Sequence, residues 1–191
     1  MKRLVVGISG ASASIYGIRM LEALQTAKVE SHLVISHPAR KIIPLETEYQ
    51  VADVEALANY IYPIDDVGAA IASGSFQTDG MVIIPCSIKS LSAVATSYND
   101  NLLTRAADVT LKEKRRLVMV VRETPLHKGH LRLMLNAADM GAIIYPPMPA
   151  FYSMPRTIDD LVNHTIGKIL DLLDIEHHLL HRWQGMKGIS K

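Results

Sequence analysis

An α/β fold built on a parallel, doubly wound sheet is predicted by three observations. Five apolar runs of strand length recur at residues 4–6, 33–35, 81–84, 117–121 and 142–145. These runs lack polar alternation, as strands covered on both faces do. Helix-periodic segments separate them, and strands that alternate with helices pair in parallel through crossovers.

The first run, Leu4-Val5-Val6, enters the turn Gly7-Ile8-Ser9-Gly10-Ala11-Ser12-Ala13-Ser14, and a helical pattern over 15–25 follows at once. Such a turn gathers unpaired backbone N–H groups at the positive end of a helix dipole, which makes an anion cradle. Gly7 and Gly10 are three apart and Gly17 follows seven later, so the G-x-G-x-x-G dinucleotide spacing is absent. With serines where glycines would stand, a mononucleotide phosphate is the expected occupant. Further helices are expected over 51–61, 87–96, 101–115, 127–138 and 158–173, the last opened by the capping pair Thr157 and Asp160. Pro146-Pro147-Met148-Pro149 forms a loop. The length of 191 residues suits one domain, with 175–191 as a C-terminal tail.

Twenty Lys and Arg against nineteen Asp and Glu leave a net charge of +1, with the only basic cluster at residues 112–116. No field capable of holding a polyanion results, so nucleic acid is not an expected partner. One cysteine, Cys86, excludes an internal disulfide and a multi-cysteine metal site, and fits a reducing compartment. Lys2-Arg3 ahead of an apolar run resembles a signal peptide, but Gly7, Ser9 and Gly10 interrupt the run too early. No stretch approaches the roughly 20 apolar residues of a membrane span. A soluble, cytoplasmic protein is expected.

In doubly wound sheets ligands bind beyond the carboxyl ends of the strands. Here those ends carry Ser9-Gly10-Ala11-Ser12, Ser36-His37-Pro38, Pro85-Cys86-Ser87-Ile88-Lys89-Ser90, Arg122-Glu123-Thr124-Pro125 and Pro147 to Tyr152. Ser36 stands where NAD-binding chains usually place an acid for the ribose hydroxyls. Together with the serines and Lys89 at the third end, this favours a mononucleotide such as FMN.

Several constellations have a structural alternative. Arg122 and Glu123 are either a surface ion pair or site residues. Arg105 and Lys112, seven apart, could hold a second phosphate or pair with Asp108. Lys168 lies on the apolar side of its helix, as a snorkelling lysine or as a ligand group. Cys86 reads as a small packing residue in preference to a nucleophile. His177, His178 and His181 lack a third ligand at diagnostic spacing and read as a solvated helix face, so no metal is expected. Trp183 either packs the tail down or covers a neighbouring site.

Gly10-Ala11-Ser12, Glu46-Thr47-Glu48, Ala72-Ser73-Gly74-Ser75, Pro85-Cys86-Ser87, Arg105-Ala106-Ala107-Asp108, Arg122-Glu123-Thr124-Pro125 and Phe151-Tyr152 together resemble the UbiX-like flavin prenyltransferases, some of which have been labelled phenylacrylic acid decarboxylases. The likeness runs along nearly the whole chain in the same order. It implies a Rossmann-like flavoprotein that joins a dimethylallyl group from dimethylallyl monophosphate to N5 and C6 of reduced FMN, without metal. The product, prenylated FMN, would serve a UbiD-like decarboxylase. Members of the family form dodecamers with the site at subunit junctions.

Carried over by residue, the resemblance implies that Gly10, Ala11, Ser12, Ser36, Ser87, Ile88, Lys89, Ser90 and Arg122 hold FMN. Ser73, Gly74, Lys112, Arg122, Tyr152 and Lys168 would hold the prenyl phosphate. Glu46, Arg105 and Glu123 would organise charge and protons, Ser12 would assist proton movement at the flavin, and Trp183 would wall the site. Lys168 replaces an arginine common in relatives, a point charge in place of a fork. Two rivals are an FMN-dependent decarboxylase of a cysteine-derived carboxylate and a non-catalytic flavin carrier. No suitable histidine follows the first loop for the former; the latter would leave the phosphate-site cations dispensable.

Overall fold

The computed structural model describes residues 1–180 and Arg182. Six strands, β1 (Arg3–Ile8), β2 (Glu30–Ile35), β3 (Tyr60–Tyr62), β4 (Gly80–Cys86), β5 (Arg116–Val121) and β6 (Ile143–Ile144), form one sheet. All pairs are parallel in the order β3-β2-β1-β4-β5-β6. The order reverses between β1 and β4, so the sheet is doubly wound and Rossmann-like as expected.

Side chains alternate between two cores. Leu4, Val6 and Ile8 of β1, Val82 and Ile84 of β4, and Val118 and Val120 of β5 face one core, completed by α1 (Ile15–Thr26) and α7 (Ile158–Leu172). Val5, Met81, Ile83, Leu117, Met119 and Val121 face the other, completed by α4 (Ile88–Ala95), α5 (Leu102–Lys112) and α6 (Lys128–Asp139). Burying each large aliphatic side chain stabilises the fold by about 1.5–3 kcal/mol. Cys86 belongs to the second core, fully buried, and burial pushes its thiol far above the ordinary range. It packs and offers no thiolate.

Two expectations are corrected. The helix expected over 51–61 is only α3 (Val51–Ala56), after which the chain turns into β3, an edge strand with Tyr60 and Ile61 exposed. An unexpected helix, α2 (His37–Glu46), joins β2 to α3 despite Pro38 and Pro44. Pro38 sits in the first turn, where no N–H is required, and the Ser36 hydroxyl accepts the Ala39 N–H at 3.3 Å. Thr157 and Asp160 exchange bonds at the start of α7 as expected, whereas Ser87, expected as the first residue of its helix, instead caps α4. Asn101, expected as the first helical residue, instead caps α5 through the Thr104 N–H. Among the described residues no helix is long and apolar enough to cross a membrane.

Gly17 lets α1 lie directly on the sheet, since an added Cβ would meet the Ile84 carbonyl oxygen at 2.6 Å and Ile8 Cδ1 at 2.9 Å. Gly17→Ala is therefore expected to lower stability by about 1–3 kcal/mol through overpacking. Thr157→Ala should lose about 1 kcal/mol through the lost cap. Urea denaturation of both variants checks the order, and an unchanged midpoint for Gly17→Ala would contradict this packing.

Candidate active site

A cleft of roughly 290 Å³ opens at the carboxyl ends of β1, β2, β4 and β5, where the strand order reverses. Gly10, Ser36, Ser87 to Ser90 and Glu123 line it, whereas Ala11, Ser12 and Arg122, expected beside them, do not; Arg122 lines an adjoining cavity with Glu123 and Pro146 to Pro149. Pro38, Ile64, Asp100, Asn101 and Thr104 line it as well. Of these, Pro38 belongs to a strand end marked in the sequence and Asn101 and Thr104 to an expected helix; Ile64 and Asp100 carry no signal that marks them.

The anion cradle differs from its expected form. The turn before α1 is already occupied by a carboxylate of the chain itself: Glu46 Oε2 accepts the N–H groups of Ala13 at 2.7 Å and Ser14 at 3.2 Å. Ala13 has φ +77°, a left-handed conformation that residues with a Cβ seldom adopt. Glu46 thus braces a strained turn from the end of α2. Burial raises its carboxyl pKa, but hydrogen bonds from Ser12, Ser14 and Ala13 and the charge of Arg122 outweigh burial and leave it below the ordinary carboxylate range. Gly10 is needed for close approach, although the neighbour it meets is Pro38, on which an added Cβ would collide.

Open donors remain at α4. Ser90 N–H is spent on the Ser87 hydroxyl, but the first-turn N–H groups of Ile88 and Lys89 have no intrahelical acceptor. They lie in the cleft wall beside the Lys89 side chain. A mononucleotide phosphate fits here: helix N-terminal donors, serine hydroxyls and one ammonium converge on the cleft. Ser9, by contrast, is buried and bridges Pro85 and Ser87, a structural role.

Glu123 takes the Thr124 N–H at 3.0 Å and faces the cleft. Arg122 is felt electrostatically at Glu46. The surface ion-pair alternative for Arg122 and Glu123 does not appear among the described pairs.

Ser73, Gly74, Arg105 and Lys112 form a second group. Arg105 Nε donates to the Ala72 carbonyl at 3.2 Å, and its guanidinium pairs with Asp108 at 3.0 Å. Lys112 pairs with Glu113, not Asp108, and its Nζ would stand 2.8 Å from a Cβ added at Gly74. Arg115 Nη2 donates to the Gly74 carbonyl at 2.8 Å. Glu113 and Arg115 were missed in sequence because a basic run hid their partners. Arg105 lies near the start of α5, whereas Lys112, beside Gly74, stands where α5 ends and β5 begins, and Arg122 follows the end of β5. The six residues of β5 span roughly 20 Å, too far for Lys112 and Arg122 of one chain to share a phosphate.

Tyr152 and Lys168 belong to a third group on α7. Tyr152 Oη and His164 Nε2 are 3.0 Å apart with their rings edge to face. Burial and the charge of Lys168, one turn on, hold the His164 imidazole below its ordinary pKa. His177 is not on a solvated helix face: its side chain is buried against α7 and meets Asp171 at 3.2 Å. His181 and Trp183 lie outside the described residues. Among the described residues no group of three metal-ligating side chains occurs.

Because the Glu46 pKa is lowered on folding, its contribution is present above the ordinary carboxylate range and is lost as pH falls through the lower folded value. Glu46→Gln should flatten this acid limb in thermal unfolding followed from pH 7 to pH 3, about the range carboxylates span. An unchanged limb would contradict the bracing role.

The Flavoprotein family profile matches residues 1–173. The flavin prenyltransferase UbiX of Thauera aromatica is 57% identical over 183 residues, covering 96% of this chain and 94% of that protein. UbiX of Escherichia coli K12 is 55% identical over 188 residues, covering 97% and 100%. Among solved structures, AnUbiX (PadA1) in complex with FMN and dimethylallyl pyrophosphate superposes with a TM-score of 0.96 at 46% identity, covering 97% of this chain and 99% of that one. A dodecameric FMN-dependent UbiX-like decarboxylase from Escherichia coli O157:H7 superposes with a TM-score of 0.93 at 48% identity, covering 96% and 100%. The FMN-dependent cysteine decarboxylase TvaF, 17% identical with a TM-score of 0.64 over 77% of this chain and 91% of that one, shares the fold alone. By near full-length identity above one half, the chain belongs to the UbiX family of flavin prenyltransferases within the flavoproteins.

Proposed function

We propose that the protein transfers a dimethylallyl group from dimethylallyl monophosphate to N5 and C6 of reduced FMN, as a homo-oligomer, and that the prenylated FMN passes to a UbiD-like decarboxylase. The observation that carries this reading is that cationic residues stand apart from the cleft, beyond what one flavin phosphate needs. The cleft offers N-terminal donors of α4, while Lys112 with Ser73 and Gly74, and Lys168 with Tyr152, offer cationic groups away from it. A flavin carrier needs only the cleft.

Gly10, Ser36 and Ser87 to Ser90, which line the cleft, with Ala11, Ser12 and Arg122 at the same strand ends, would hold FMN, and bound reduced flavin would supply the nucleophilic ring. The chain's own residues handle the departing phosphate. Breaking the allylic C–O bond leaves the electron pair on phosphate oxygen, and Lys112, Arg122, Tyr152 and Lys168 offset that charge. Glu123, already in the cleft, is placed to pass a proton to the phosphate, and Arg105, paired with Asp108, would organise charge at the start of α5. No activated Ser or Cys nucleophile is required, consistent with a buried Cys86.

Because Lys112 lies at the opposite end of β5 from Arg122, a complete donor site needs Lys112 from a second copy. Exposed apolar side chains support such contacts: Phe151, Met154 and Ile158 are 70%, 81% and 80% exposed in the single chain. A dodecamer is the assembly this reading favours.

Purified protein incubated anaerobically with reduced FMN and dimethylallyl monophosphate should yield a flavin heavier by one prenyl unit, read by mass spectrometry. The diphosphate in a parallel reaction tests donor choice. Unchanged flavin mass with both donors would contradict the reading. Glu123→Gln and Lys112→Ala should keep FMN and lose about 100-fold or more in turnover; full activity in both would remove their assigned roles.

A further inference from the structure

The carboxylate of Asp171, in the last turn of α7, collects three basic side chains. Arg182 approaches in a fork, with Nη2 at 2.7 Å from Oδ1 and Nη1 at 3.2 Å from Oδ2. His177 Nε2 lies 3.2 Å from Oδ1, and Lys168 Nζ lies 3.8 Å from Oδ2, three residues back on the helix. The Arg182 hydrogen bond and the His177 contact outweigh partial burial and keep the Asp171 carboxyl below its ordinary range. The node has more cations than anions, so Lys168, nearly half exposed, keeps donors for a further anion.

A second observation, independent of charge, shows that the segment after α7 is built to lie on it. Gly167 has no Cβ; one added there would stand 2.7 Å from Leu180 Cδ2 and 2.9 Å from His177 Cε1. The segment therefore rests directly on the helix backbone. Ile175 is buried, and Leu179 packs against the first core. Leu179 and Leu180 also line a cavity of roughly 470 Å³ together with His164, the partner of Tyr152.

We propose that Asp171 is a positioning residue for the prenyl-phosphate site. Its carboxylate clamps the C-terminal segment to α7 through Arg182 and His177 and steadies the Lys168 ammonium on the same helix. The inference rests on the assignment of Lys168 and Tyr152 to the donor phosphate. Asp171 touches neither reactant; it acts through Lys168 and the segment. Losing it should weaken donor binding more than the chemical step and leave FMN binding untouched.

The test uses the full chain with two variants, Asp171→Asn and Arg182→Ala. The second changes an exposed side chain and leaves the helix intact. Trp183, the only tryptophan, follows Arg182 directly in sequence, so iodide quenching of its fluorescence reads the segment without reference to activity. Both variants should show a quenching constant raised about two-fold and a KM for dimethylallyl monophosphate raised about ten-fold, about 1.4 kcal/mol in apparent binding, with kcat within about three-fold and FMN Kd unchanged. Arg182→Lys should recover part of both effects. Wild-type quenching in both variants would overturn the clamp; raised quenching with wild-type KM would overturn its link to the donor. If the wild-type protein does not prenylate flavin, the functional assignment fails and with it the link to the donor, while the quenching comparison still decides the clamp.

Discussion

Strands β1, β2, β4 and β5 are covered by helices on both faces, and nearly every side chain along them is buried. An unpaired polar group there would cost several kcal/mol, roughly the range for amide or hydroxyl transfer to an apolar medium. Chemistry is consequently pushed to the ends of the strands. The cleft opens at the carboxyl end because β1 and β4 send their following helices to opposite faces, leaving a gap between their turns.

That division also explains how the cationic residues are distributed. Helix α5 is a rod of about 16 Å, by its rise per residue, with Asn101 and Thr104 at the cleft and Lys112 at the far edge. Its buried face, from Leu103 to Leu111, fixes it against the sheet, so neither end can swing to meet the other. Residues that the family likeness gathers around one phosphate are held apart within the chain. In the proposed function a second copy would reconcile the two, with the exposed Phe151, Met154 and Ile158 as an apolar surface for that copy to contact.

Much of this was legible in the sequence. Continuous apolar runs marked five of the six strands, four of them because burial on both faces leaves no other pattern, and β6 by its apolar residues alone at a half-buried edge. The serines of the cleft were legible as polar groups at strand ends, though not as the caps that Ser36 and Ser87 prove to be. Strand β3 was not, since Tyr60-Ile61-Tyr62 lies at an exposed edge and continues a helical period from α3. Helix α2 was hidden by Pro38 and Pro44. The role of Glu46 was legible only in part: the motif marked it, but its bond to a strained turn 33 residues earlier depends on how α2 returns toward α1. Likewise Asp171 carries no motif, and its importance comes from Gly167 and the close seating of the following segment.

The central claim is that a complete site draws on the carboxyl-terminal edge of one copy and the opposite edge of another. Mixing Lys112→Ala with Arg122→Ala protein, after dissociation and reassembly, tests it directly by the rate of flavin prenylation. Each variant alone should be nearly inactive. In random mixtures about a quarter of the sites should regain both native residues, and activity should recover in that proportion. Absence of recovery in demonstrably mixed oligomers would contradict the claim and place both cations in the site of a single chain.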